Sequence, residues 1–198
     1  MKMKVYLMAM SLAIVASCSR KGADNTIFSV DENKSAIEWK GIASTHFHEG
    51  GFKASGTLEI NDKNRIVAGN FKIPISSITN FDLPENRKHE LLDHLKSSDF
   101  FNVVLHPNAT FKITKVEDYK EEGTNLNAKV TGNFTMIGRT NNISFPAEIN
   151  ITPEGISVNG KFELNRLQYG MDKYNNPEET LYILPGVKIT LRIFCNRS

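Results

Sequence analysis

The sequence predicts an all-β protein: an antiparallel, eight-stranded barrel with one short helix between strands 3 and 4. Three observations carry this. Six segments alternate apolar and polar residues with period two, turn-forming residues separate them, and glycines stand on their apolar faces. Strands with one buried and one wet face read this way, and they are antiparallel in type. Many short strands at this spacing mean a sandwich or a barrel.

Phe52, Ala54, Gly56, Leu58 and Ile60 form the first alternating set. Val67, Gly69, Phe71, Ile73 and Ile75 form the second. Leu126 to Met136, Ile143 to Ile151, Ile156 to Leu164 and Val187 to Ile193 continue the pattern on every second residue. Strands around Ile37–Ala43 and Ala109–Val116 complete the eight. Asn61-Asp62-Lys63-Asn64, Gly138–Asn142 and Thr152-Pro153-Glu154-Gly155 mark turns. Pro74 and Pro146 each remove a ladder donor and predict edges, bulges or rims. Asp82-Leu83-Pro84-Glu85 predicts a helix start with Asp82 as cap. Leu91, Leu92 and Leu95 make its apolar stripe, and it should end near Ser97 and cover one end of the barrel. Gly56, Gly69, Gly132 and Gly160 lie on inward faces, where they bend strands and are expected to leave interior room.

The first seventeen residues read differently. Lys2 and Lys4 precede an apolar run from Val5 to Ala16, the pattern of a secretory signal peptide. The run is shorter than the roughly 20 residues a membrane-spanning helix needs. Val15-Ala16-Ser17-Cys18 resembles a bacterial lipobox, in which the cysteine is acylated and becomes the first mature residue. Ordinary cleavage near Ala16 or Ser17 is the alternative. The expected organisation is a lipoprotein signal peptide over 1–17, a flexible tether over 18–26 and a barrel domain over 27–198. Several acyl chains would hold the protein on a membrane.

Composition narrows the function classes. The whole chain carries 24 basic and 22 acidic residues, but losing Lys2 and Lys4 leaves 22 against 22. A neutral mature chain offers no electrostatic footprint for nucleic acid. Two cysteines make neither a disulfide framework nor a four-cysteine zinc site. If Cys18 is acylated, Cys195 has no partner and is expected to be an inert, buried thiol. His46 and His48 share one face of a strand, yet nothing nearby completes a metal spacing. His94 reads as a helix-end histidine bonded to the following loop. No nucleophile elbow, phosphate loop or dinucleotide fingerprint is present, and the expectation is a protein that is not an enzyme and needs no cofactor.

Several segments together resemble one family. They are Trp39-Lys40-Gly41, His48-Glu49-Gly50, Ser76 to Asn80, and Leu91 to Phe101 with its His94-Leu95-Lys96-Ser97 core. His106-Pro107-Asn108-Ala109-Thr110-Phe111, Gly132 to Gly138 and Asn165 to Gly170 complete the set. This pattern resembles the YceI-like family of lipocalin-like, polyisoprenoid-binding proteins over roughly Ser35 to Cys195. One departure matters: many members carry an Arg-Asp pair where Leu91 and Leu92 stand here. No role of that pair carries over. A lipoprotein anchor is not universal in the family, whose members are often soluble periplasmic proteins.

The resemblance implies a lipocalin-like barrel with a long apolar cavity. The expected function is a lipid-anchored envelope protein that carries or scavenges a long apolar ligand, such as a polyprenyl lipid or an isoprenoid quinone. The candidate cavity lining is Trp39, Phe52, Leu58, Phe71, Ile73, Phe111, Phe134, Phe145 and Phe162. The alternative is an envelope interaction or stress-related module with a filled barrel and no bound lipid. The expected location is the bacterial cell envelope, facing the periplasm and anchored through Cys18, with the outer membrane as the favoured site. The oligomeric state stays open, a dimer among the options.

Overall fold

The computed structural model describes residues 25–198. The signal peptide, the lipobox and Cys18 lie outside the described residues. The strands are β1 (Thr26–Val30), β2 (Ala36–Ala43), β3 (Phe47–Phe52), β4 (Ser55–Ile60), β5 (Ile66–Pro74) and β6 (Thr79–Asn80). Then come α1 (Glu85–Lys96), β7 (Asn108–Asp118), β8 (Ala128–Met136), β9 (Arg139–Ile151), β10 (Gly155–Asn165) and β11 (Ile183–Arg197).

These eleven strands build eight staves. β1 and β2 both pair with β11, so they form one bent stave. β4 pairs with β1 and β3 pairs with β2, which makes β3 and β4 the second stave. β5 pairs with β4 and β6 pairs with β3, which makes β5 and β6 the third. β7 to β11 follow as a meander in which each strand pairs with the next. All pairs are antiparallel, and the last stave returns to the first. The result is a closed eight-stave barrel with α1 between staves three and four, as the alternation predicts. Closure matters because it removes the exposed edges that an open sheet presents. Strand β1 begins at Thr26, one residue inside the stretch assigned to the tether.

The two ends of the barrel differ. The start of β1 and the C-terminal end of β11 lie at one end, beside the β4–β5 and β9–β10 turns. There the inward residues are fully packed: Leu58, Ile156 and Cys195 are 0% exposed and Phe28 is 2% exposed. Burial pushes the Cys195 thiol up to about 11, so it stays protonated at neutral pH. At the other end, α1 and the segment 171–182 close over the staves. Leu91 and Leu95 of α1 turn toward the interior. The helix buries no residue completely, so packing of one face and not intrinsic burial holds it in place.

Three details depart from simple alternation. Val67 is 47% exposed whereas Ile66 is buried, because the β4–β5 ladder slips between Glu59 and Ile60 and the bulge resets which side faces in. Another slip, between Ile113 and Lys115, leaves Thr114 unpaired and turns Val116 inward. Pro146 marks the third. The β9–β10 ladder runs from Ile156↔Ile151 to Gly160↔Ala147 and stops, so Pro146 stands where the two strands part. Its missing N–H would have been the next donor.

The inward glycines do not supply empty room. Phe111 lies over Gly132, Phe145 lies over Gly160, and Ile113 and Leu58 lie over Gly69. Each slot is filled by a neighbouring side chain. Gly56 serves the backbone: its φ of +144° and the close Asn70 carbonyl bend the second stave between β3 and β4.

Candidate functional site: an apolar cavity with one polar end

Inside the helix end lies a cavity of about 390 Å³. That is the size of a small-molecule site. All nine candidate lining residues, Trp39, Phe52, Leu58, Phe71, Ile73, Phe111, Phe134, Phe145 and Phe162, face it. Many inward side chains there, including Phe52, Phe71, Ile73, Phe162 and Leu164, are only half-buried although they point into the barrel. Their exposure is to the hollow. The lining reaches along β11 from Ile183 to Ile193. Ten residues at about 3.3 Å make about 33 Å of strand. A tilt of about 40° reduces this to about 25 Å along the barrel axis.

A belt of rings crosses the middle. Phe71 and Phe111 lie 6.4 Å apart, Phe111 and Phe145 5.9 Å, and Phe145 and Phe162 stack at 4.4 Å. β8 lies between β7 and β9 and has Gly132 just where a side chain would block the Phe111 ring. The glycine is therefore a slot for the belt.

Polar groups gather at one end. The titratable side chains on the wall are His46, His48, His94, Arg166 and the phenol of Tyr174, and no carboxylate lines it among the described residues. All five sit at the helix end. His48 Nδ1 bonds Asp82 Oδ2 at 2.7 Å. Asp82 Oδ1 accepts from the Glu49 N–H at 2.8 Å and from Asn80 Nδ2 at 2.7 Å. Burial raises the Asp82 pKa, but the three bonds outweigh it and hold the carboxyl below its ordinary value. Asp82 therefore does not cap α1: the cap position is Pro84, with no side-chain bond. The carboxylate is taken instead by the end of β3, which it ties to the segment entering the helix.

His94 forms the second tie. Its Nε2 lies 3.4 Å from Asp99 Oδ2, and Lys173 Nζ lies 3.4 Å from Asp99 Oδ1. The His94 ring packs edge-on against Phe100 and Tyr174, which stack on each other. The helix end and the segment 171–182 are thus joined across the mouth. His46 and His48 rings lie 5.0 Å apart. Among the described residues no cluster of three or more metal-ligating side chains occurs, and no helix is long and apolar enough to cross a membrane.

Arg166 escapes a reading by motif alone. It is 3% exposed, in a turn directly after β10. Its Nε donates to the Leu184 carbonyl at 3.2 Å. Nη2 donates to Tyr174 at 3.3 Å and to Ile183 at 2.7 Å, and Nη1 donates to the Met171 carbonyl. Burial lowers its pKa, yet a guanidinium stays charged in proteins. A signal for it existed: Gly160, Phe162 and Leu164 face in, and two residues further on is Arg166. Trp39 is the other polar group on the wall with a cost: its indole N–H is buried without an acceptor among the described residues.

The model of the YceI-like domain matches residues 28–194. A search of curated proteins finds no match. Among solved structures, BcnA of Burkholderia cenocepacia is 18% identical, with a TM-score of 0.67 over 83% of this chain and 98% of that one. A polyisoprenoid-binding domain from Saccharophagus degradans, implicated in plant cell wall breakdown, is 14% identical with a TM-score of 0.64, over 86% and 98%. The YceI protein of Campylobacter jejuni is 20% identical with a TM-score of 0.55, over 75% and 84%. At these identities the likeness is one of fold.

Proposed function

Since this chain belongs to the YceI-like domain family, we propose that it carries or scavenges a long apolar ligand in its barrel, as a lipid-anchored protein of the bacterial envelope. The observation that carries this is the hollow, ring-lined half of a closed barrel. A filled barrel would bury its inward side chains completely, as the terminal end does. The relative from Saccharophagus degradans is described as polyisoprenoid-binding, which supports a polyprenyl lipid or isoprenoid quinone as the ligand class.

The mechanism is burial. Each methylene moved from water into the cavity contributes about 0.8 kcal/mol. Ten would supply about 8 kcal/mol before the cost of ordering the chain.

Organic extraction of the purified mature protein, followed by mass spectrometry, is expected to release a stoichiometric apolar molecule. A barrel that yields none, and that takes up no labelled polyprenoid, would falsify the ligand reading. The anchor is tested separately. Cys18→Ala is expected to move the protein from the detergent phase to the aqueous phase; unchanged partitioning refutes acylation at Cys18.

A further inference from the structure

The polar end of the cavity has an electrical sign. Among the described residues its wall holds one permanent cation, three imidazoles, the Tyr174 phenol and no carboxylate. Arg166 is the one charged side chain that is buried among the described residues, and no carboxylate there lies within ion-pair distance of it. A buried charge is ordinarily paired. Here backbone carbonyls take four of the five N–H donors, which leaves one donor free; Asp172 acts on the guanidinium only from beyond ion-pair distance, so the positive charge has no direct counter-ion. The opposite end, around Leu58, Val130, Val158 and Ile193, is apolar throughout. A cavity polar and cationic at its mouth and apolar at its floor fits one class of molecule.

We propose that the cavity takes an amphiphile with an anionic head, a long-chain carboxylate in the simplest case, its head at Arg166 and its tail toward Leu58. This rests on the apolar-ligand reading above and adds the head chemistry, the residue and the direction. The guanidinium keeps its bonds to the 171–184 backbone and gives its remaining N–H to the head. The bond is charge-assisted and strengthened by the low-dielectric wall. A neutral head leaves the charge unpaired.

The test compares heads on one tail. Binding of cis-parinaric acid and of its methyl ester to the purified mature protein is measured at pH 8.5, where unperturbed imidazoles are neutral and the guanidinium is not. The carboxylate is expected to bind at least tenfold tighter. Arg166→Gln is expected to reduce that ratio to under twofold. Equal affinities for acid and ester in the wild-type protein overturn the proposal, and leave Arg166 as a backbone clasp. If Arg166→Gln does not fold, the pH series decides: a preference present at pH 6 and gone at pH 8.5 assigns the anion preference to the histidines and overturns the role of Arg166. A preference undiminished at pH 8.5 supports it. Binding of neither probe is a different result, which fails the apolar-ligand reading itself.

Discussion

Gly132→Ala is expected to destabilise the barrel by about 3 kcal/mol, at the upper end of overpacking costs. For a domain of this length that lowers Tm by about 6–12 °C. A Cβ at this position would lie 2.6 Å from the Lys112 carbonyl oxygen and would strike the Phe111 ring. The backbone cannot retreat, because Gly132 is paired on both sides, with Ile113 and with Ile143. The ring cannot retreat without leaving Phe145. Gly160 supplies the control. A Cβ there would meet Pro146 O at 3.3 Å and Phe145 at 3.4 Å, and β9 has already parted from β10 on that side. Gly160→Ala is expected to cost under about 1 kcal/mol. Thermal unfolding of both variants checks the order; equal losses would show that the Phe111–Gly132 contact is not a constraint.

That contrast shows where the sequence is legible. Gly132 and Gly160 look alike on paper: each is inward, on an alternating strand, between residues of opposite character. Alternation depends only on the side a residue faces, which backbone geometry sets locally. It therefore predicts the eight staves and which side of each faces in, whereas α1 is placed by the Pro84-Glu85 start and the leucine stripe, and whether the interior is hollow is not written in the alternation. What fills a slot is decided across strands. The ring over Gly132 comes from β7, a strand whose own alternation is broken by the bulge at Thr114. The bulge at Val67 is hidden for the same reason, since one extra residue is visible only against its partner strand. Asp82 shows a second limit. Acid, proline and glutamate at these spacings also describe a helix cap, and only the fold brings His48 and Asn80 to the same carboxylate. Arg166 is a third case: alternation carried from Leu164 to the first residue past β10 points it inward, but composition treats an arginine as a surface residue.

Gly41→Trp is expected to abolish ligand uptake while leaving the fold intact. Gly41 is the mirror of Gly132. It lies on β2 between His48 of β3 and Val187 of β11, and it lines the cavity. Yet a Cβ built there meets nothing within 4 Å, and its φ lies outside the left-handed region. The same residue type thus serves opposite purposes: Gly132 admits a ring from the protein, and Gly41 leaves room for something else. An indole carries about 200 Å² of surface and would occupy much of a 390 Å³ hollow. Tryptophan is favoured in strands and glycine is not, so the stave itself is not weakened. Uptake of labelled polyprenoid should fall at least tenfold, with Tm within about 3 °C of the parent or above it. Full uptake with an unchanged Tm would mean that the ligand does not occupy the cavity beside Gly41. Loss of both fold and uptake would mean that this part of the barrel is less hollow than its geometry requires. Only a vacant interior at Gly41 yields a stable protein that binds nothing.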